Sequence, residues 1–499
     1  MPLSIDKTWL RASLICLALL VQAGVVDAQD RPAGQDAEEQ AAEEGPRVSP
    51  AQGLVEKQLS SLIDIKSTPP EAATSYVRDA DGKAVIAKVL CELRDGKVDK
   101  RMLMLPTGSL VFADRTDTRP CDRPFQGCSR LTLEKQLRAH GFGEFKFVHD
   151  GYYLYAYNCS EAFYQHTHSI ISTMMAGVVT QLREWGLEVK RPETPMVILI
   201  FPSREAFDRY EAMPKGVAAY YNTITNWVYL YEDNDLWDAA PEFAMRQYAY
   251  TVAHEGIHQV LHNTGIQQRL SRWPAWISEG LPEYFCPLRV SSHIVTQGKD
   301  KMPERVLKWQ RPGRVNDIRM WEIMRYAPQS DGGIVERLIG EPRLSSYGYA
   351  LSWGLVHYLA SREPEEFAAY LGDLSEMKPL QGNFKPSALE RDELFVKNFG
   401  EDFMRHQLLA DRHLKSAKIQ KEYDDPFLNQ TVYIVTRTYK KSRVFYTTAK
   451  ITLSPFEARE WRQREAEKMR LQGHNAAFVT RVCDNIKEAR YELRQILGN

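Results

Sequence analysis

The chain reads as an α+β protein. Three features of the sequence point there: short apolar runs rich in β-branched and aromatic residues, such as MVILIF at 196–201 and NWVYLYE at 226–232; long stretches with apolar residues at helical spacing; and a region, 302–414, patterned as helix along most of its length. Of the 499 residues, 43% are hydrophobic and 26% charged, which suits folded globular protein and is far from the composition of a disordered chain. That length exceeds one ordinary core, so several folded units are expected.

Lys7 and Arg11 precede an apolar run at 12–26, and Val26-Asp27-Ala28 sets small residues at the −3 and −1 positions of a cleavage site. The run is shorter than the ~20 residues that span a bilayer. Residues 1–28 are therefore expected to be a secretory signal cleaved near Ala28, with the mature chain exported and no stable membrane insertion. Residues 29–53, rich in Gln, Ala, Glu, Pro and Gly, form an expected disordered linker.

A small α+β unit is expected over 54–145. It opens with a helix at 54–65, followed by strands at 84–93 and 101–105 joined around Asp95-Gly96, a strand at 109–113 and a helix at 131–140. Its role is open, and covering a cleft until removed is one reading.

The next unit, 146–415, starts with a strand at 152–157 and a helix at 160–185 carrying Ile170, Ile171, Met174, Met175, Val178, Val179 and Leu182. His166 and His168 on that helix point to different faces at i, i+2 spacing, so they read as packing or surface residues. The run at 196–201 looks like a central buried strand, Ser203 caps a helix through Tyr210, and 226–232 reads as a strand nearer the sheet edge. A helix over 241–262 follows. The last unit, 416–499, reads as a β-hairpin, 429–453, followed by one or two charged helices.

Six cysteines remain after the signal: Cys91, Cys121, Cys128, Cys159, Cys286 and Cys483. Export permits disulfides, and Cys121–Cys128 is the first expected staple; buried free thiols are the alternative for Cys286 and Cys483. No CxxC pair occurs, which argues against a cysteine zinc site. The formal charge of −1 gives no reason at whole-chain level to expect nucleic acid as a partner.

The chemistry concentrates in His254-Glu255-Gly256-Ile257-His258. Residues at i and i+4 share a helical face, so two imidazoles can meet one zinc ion at about 2.0–2.1 Å. Glu255 then stands beside the metal as a general base for water, whose acidity a zinc ion raises. A third ligand is expected in Glu279, within WPAWISEGLPEYF, 21 positions beyond His258 and within reach of a returning antiparallel helix. Two histidines and one carboxylate leave a fourth position open, as a catalytic zinc site requires. Glu283, at i+4 from Glu279, can accept the outer hydrogen bond of a ligand histidine, or can be a plain surface charge. Pro282 implies that this helix starts near Gly280 or kinks.

HEGIH followed by WPAWISEGLPEYF resembles the gluzincin metallopeptidases, most closely the peptidase-MA-like group, which includes mostly secreted bacterial proteins with a domain of unknown function. The likeness extends over about residues 152–414. It implies a thermolysin-like zincin fold, one Zn2+ bound by His254, His258 and Glu279, and hydrolysis of a peptide or protein substrate with Glu255 as base. It also implies that the edge strand, around 226–231, holds substrate backbone in extended form. An oxyanion donor is expected from a tyrosine hydroxyl, Tyr349 first, with Tyr347 and Tyr284 behind it. Two other readings stay open: a binding or scaffold protein on a peptidase fold, and a zinc amide hydrolase acting on a non-peptide substrate.

Overall fold

The computed structural model describes residues 65–497, apart from 80, 96–97, 211–216, 233–240, 272, 287, 290–307, 310–312, 327–332, 381–387, 417–431, 442–443, 453–454 and 484–485. The expected signal, the linker and nearly all of the expected 54–65 helix lie outside these residues. Strands and helices are mixed along the chain, as the α+β reading requires.

Six strands form the first sheet: β1 (Ile65–Thr68), β2 (Thr74–Arg78), β3 (Ala84–Asp95), β4 (Val98–Met104), β5 (Leu110–Asp114) and β6 (Arg119–Pro120). They pair in the order β5-β4-β3-β2-β6, all antiparallel, with β1 added to the far end of β3. One face buries Val77, Ala87, Val89, Leu103 and Leu105. The other carries Cys91, Leu93, Met102, Met104 and Leu110 against Ile224, Leu270 and Leu380 from far downstream. Helix α1 (Arg130–Leu137) follows, its first turn closed by the Ser129 hydroxyl, which accepts from Thr132 N.

The second sheet is the platform for the site. Its strands are β7 (Lys146–Asp150), β8 (Tyr153–Tyr157), β9 (Met196–Phe201), β10 (Ala219–Asn222) and β11 (Trp227–Tyr231), in the order β10-β11-β9-β8-β7. The MVILIF run is the central strand, parallel to both neighbours, and every one of its residues is buried. That burial explains a continuous apolar run rather than an alternating one. Side chains alternate between two cores. Tyr153, Tyr155, Met196, Ile198, Ile200, Val228 and Leu230 face one way, and Leu154, Ala156, Val197, Leu199, Trp227 and Tyr229 the other. Helix α2 (Glu161–Glu184) joins β8 to β9 and buries Ile170, Ile171, Met174, Val178 and Leu182 on the first face. Helix α3 (Arg204–Tyr210) and α1 cover the second face through Phe207, Leu133 and Leu137.

Residues 226–232 are not the edge. β11 sits between β9 and β10, and the edge strand is Ala219–Asn222, an Ala-Tyr-Tyr-Asn segment too short to stand out in the sequence. The turn between them is locked by Asn226, a buried residue at φ 68 whose side chain bonds Asn263 and the Tyr221 hydroxyl. Asn tolerates this left-handed conformation better than most residues because its side chain satisfies local backbone and polar groups.

Helix α4 (Pro241–Asn263) crosses the first face beside α2, and α5 (Ala275–Phe285) returns against it. After the short strands β12 (Leu288–Arg289) and β13 (Lys308–Trp309), six helices follow: α6 (Asp317–Tyr326), α7 (Ile334–Gly340), α8 (Ser346–Arg362), α9 (Pro364–Ser375), α10 (Ala388–Phe399) and α11 (Phe403–Ser416). The final unit holds β14 (Val432–Lys441), β15 (Val444–Thr452), α12 (Pro455–Leu471), β16 (Ala476–Cys483) and α13 (Ile486–Leu497). β16 was not expected. Its Ala-Ala-Phe-Val-Thr-Arg-Val-Cys sequence pairs with β14 to make a three-stranded sheet, where charge patterning alone suggested helix.

The expected Cys121–Cys128 staple is absent, and none of the six cysteines among the described residues is in a disulfide. No helix among the described residues is long and apolar enough to cross a membrane.

Two glycines set the helix spacing around the motif. A Cβ on Gly256 would stand 2.6 Å from Ile171 Cδ1 and 2.8 Å from Met174 Cε, both ends of flexible side chains. A Cβ on Gly280 would stand 2.9 Å from the Ser352 backbone oxygen of α8, which cannot rotate away. Gly280→Ala is therefore expected to destabilise the metal-free chain by about 1–3 kcal/mol through overpacking, and by more than Gly256→Ala. Denaturant titration of the two variants checks this; the reverse ranking would remove the packing explanation.

Candidate metal centre

His254 and His258 project from one face of α4, one turn apart, and Glu279 comes from α5. His254 Nε2 lies 3.0 Å from Glu279 Oε2, His258 Nε2 lies 3.4 Å from that oxygen, and the two nitrogens are 3.1 Å apart. Donor atoms about 2.0–2.1 Å from a shared ion at tetrahedral angles are about 3.3 Å from one another. The triangle fits one small divalent cation, and these three side chains form a buried group able to hold it. Exposure is 6% for His254, 3% for His258 and 1% for Glu279, so the group sits inside the core and not on a wet surface.

Helix α5 begins at Ala275, with Pro282 inside it, rather than near Gly280. Pro282 has no N–H to offer the carbonyl of Ser278, yet Glu279 still reaches both imidazoles. The chain before α5 is tied down: Gln267 Nε2 donates to Ser278 Oγ at 3.2 Å, and Trp273 Nε1 donates to Leu374 O at 2.9 Å.

The electrostatics follow from burial. Burial alone would push Glu279 up, but the His258 charge and hydrogen bonds from both imidazoles outweigh it and hold the carboxyl at about 2. For His254, burial disfavours the charged ring. The Cys286 thiol and the carboxylates of Glu279 and Glu283 outweigh that penalty and raise its pKa well above the usual histidine value. Without metal, His254 and Glu279 thus form a buried ion pair.

Glu255 follows His254 on α4 and is 4% exposed. One of its oxygens accepts from the Tyr221 amide of β10 at 2.7 Å, so the sheet edge sets its orientation. Burial first, and the Glu279 charge behind it, raise its pKa. Glu283 is no surface charge: it is buried, and its Oε1 lies 3.2 Å from His254 Nδ1. It is positioned to hold the proton on Nδ1 and leave Nε2 as the donor.

The buried Tyr349 ring lies 6.2 Å from the His254 ring. Tyr347 is half-buried on the same helix, and Tyr284 packs among Trp185, Phe285 and His357 in the apolar core. His166 is buried on α2, and His168 pairs with Asp150 at 2.9 Å, in line with packing and surface roles.

Sequence reasoning missed several neighbours. His262, one further turn along α4, stacks on Tyr221 at 5.4 Å and bonds Gln267 O through Nδ1. Burial, then the charges of His258 and Arg269, hold it at about 3, a neutral ring. Its i+4 spacing from His258 was a readable signal. The Tyr221 amide, Cys286 against His254, and the Asn316 and Arg319 partners of Glu283 had no comparable signal, because tertiary folding alone brings them in.

The family described as "Protein of unknown function (DUF1570)" matches residues 248–381. That span holds His254, Glu255, His258, Glu279, Glu283 and Tyr349. No curated protein matches the chain.

Because His254 is protonated in the metal-free pair, a binding metal ion must displace that proton. Apparent affinity is therefore expected to fall as pH drops below the raised His254 pKa, by about tenfold per pH unit. Titration calorimetry in buffers of different ionisation enthalpy should report about one proton released at neutral pH. A release of none would mean that the ring is neutral before metal arrives.

Proposed function

We propose that this chain is a secreted zinc-dependent metallohydrolase, a peptidase of the gluzincin type that cleaves peptide or protein substrates. The observation that carries the reading is Glu255, a buried carboxylate with a raised pKa, held by a backbone amide directly beside an N,N,O donor set. A purely structural site has no need of such a base. Two imidazoles and one carboxylate suit zinc with a position left for solvent, where all-cysteine or four-ligand sets close the ion off.

His254, His258 and Glu279 would hold the zinc, and Glu283 would keep His254 in the required tautomer. When bound, zinc supplies Lewis acidity toward a water and a carbonyl oxygen. Glu255 takes the proton from the attacking water and hands it to the leaving nitrogen; its raised pKa suits both transfers. Tyr349 is the hydroxyl assigned to the developing oxyanion, since its ring lies beside His254. An extended substrate would add to β10, the edge strand whose Tyr221 amide orients the base. The basic-then-apolar pattern at 1–28, which reads as a leader, supports action outside the cytoplasm.

Full-length mature protein loaded with zinc should cut members of a broad peptide library read by mass spectrometry, and a chelator should stop it. Glu255→Gln is expected to keep about one zinc per chain and to lose activity by at least about 10²–10⁴-fold. Tyr349→Phe should retain metal and lose about 10²–10³-fold in kcat. An untouched library with zinc-loaded protein, or a Glu255→Gln variant as active as wild type, would rule out the peptidase reading.

A further inference from the structure

Helix α6 delivers two side chains to the carboxylate behind His254. Arg319 Nη2 donates to Glu283 Oε1 at 2.7 Å, and Asn316 Nδ2 donates to Glu283 Oε2 at 2.8 Å. Both oxygens of the carboxylate that holds His254 are therefore engaged by α6. Asn316 also caps that helix, its Oδ1 accepting from Arg319 N at 3.2 Å, so the two residues are fixed as one unit. The other arm of the guanidinium, Nη1, donates to Glu322 Oε2 at 2.9 Å. Arg319 is 7% exposed, Glu283 4%, Glu322 3% and Asn316 0%, so bulk water does not compete for these bonds.

The same guanidinium lies over the Tyr349 ring, 5.4 Å from its centroid. Arg319 thus touches both groups that flank His254 from behind: the carboxylate on its Nδ1 and the aromatic ring beside it. Helix α6 is held in place by Met320 and Ile323, which pack on Trp353 of α8 and Leu414 of α11. Nothing in the Arg319 geometry requires a metal, but two of its contacts, with Glu283 and with the Tyr349 ring, are to groups that lie against His254.

We propose that Arg319 is a positioning residue that, with Asn316, fixes the orientation of His254 through Glu283 and of Tyr349 through its ring face, and so sets the metal affinity of the site. The inference rests on the metal-site reading above. Arginine suits the place because its planar fork bonds two carboxylates and still presents a flat face to an aromatic ring, which a lysine ammonium cannot do.

The test uses the full mature chain. Zinc affinity is measured by competition with a chromophoric chelator for wild type, Arg319→Lys, Arg319→Met, Asn316→Ala and the control Glu322→Gln, with metal-free melting curves for each. Arg319→Lys and Asn316→Ala are expected to bind zinc about 10–100-fold more weakly while still melting cooperatively, and Glu322→Gln to stay within a few-fold of wild type. Arg319→Met, which removes the guanidinium altogether, is expected to weaken zinc binding at least as much as Arg319→Lys. With Co(II) in place of zinc, the visible ligand-field spectrum should change for Arg319→Lys and not for Glu322→Gln. Wild-type zinc affinity in both Arg319→Lys and Asn316→Ala would overturn the proposal and leave the metal site standing. Weakening that tracks the loss of metal-free stability across the variants, Glu322→Gln included, would overturn it too, by making the effect one of general stability. A wild-type chain that binds no zinc would instead remove the metal-site reading itself.

Discussion

One helix can present two imidazoles to a cation by spacing alone, but the third donor must come from elsewhere, and here it comes from a helix buried on every side. Trp276 through Phe285 of α5 are all buried, so Glu279 and Glu283 are carboxylates inside an apolar core. Such groups are tolerated only when fully partnered, because the desolvation penalty for an isolated buried charge is several kcal/mol. Glu279 finds its partners on α4, and Glu283 finds them on α4 and α6 at once. The close approach of α5 to α8 at Gly280 makes that convergence geometrically possible. The remaining helices act as walls around it.

Much of this was legible from the residues. The HExxH spacing and the returning carboxylate follow from helical periodicity and from what a metal needs around it, while for Glu283 the spacing allowed an outer role without excluding a surface charge. The central strand at 196–201 was legible because a sheet buried on both faces leaves a run with no polar residue. Where the reading failed, the cause was non-local. Four residues at 219–222 carry too little pattern to announce an edge strand, and Pro282 is accommodated within a helix by surroundings that the sequence does not display. Cys121 and Cys128 are near in sequence but remain separate thiols. The thermolysin-like element of the expected fold belongs with the proposed activity, since the mixed architecture alone does not single it out.

The first sheet also acts on the site, through the turn beyond β10. Arg269 Nη1 donates to Gly108 O at 2.6 Å and to Thr223 O at 3.2 Å, and Leu110 N donates to Ile224 O at 2.7 Å. At Gly127 a Cβ would stand 2.0 Å from the Glu193 carbonyl oxygen, so the chain leaving the sheet passes in direct contact with the loop before β9. Stripping the sheet away would bare Ile224, Leu270 and Leu380 and take a carbonyl from a fully buried guanidinium.

The bond from Tyr221 to Glu255 has a consequence for association. A sheet border with unpaired amides is an open template for any stray strand, including one from another copy of the same chain. β10 has four residues, and the amide of Tyr221 is already engaged by a side chain from the helix behind it. An incoming segment cannot find a hydrogen there for its own carbonyl, so pairing along this border must skip one rung. Promiscuous strand addition is thereby discouraged, and a segment that does dock has its register chosen for it.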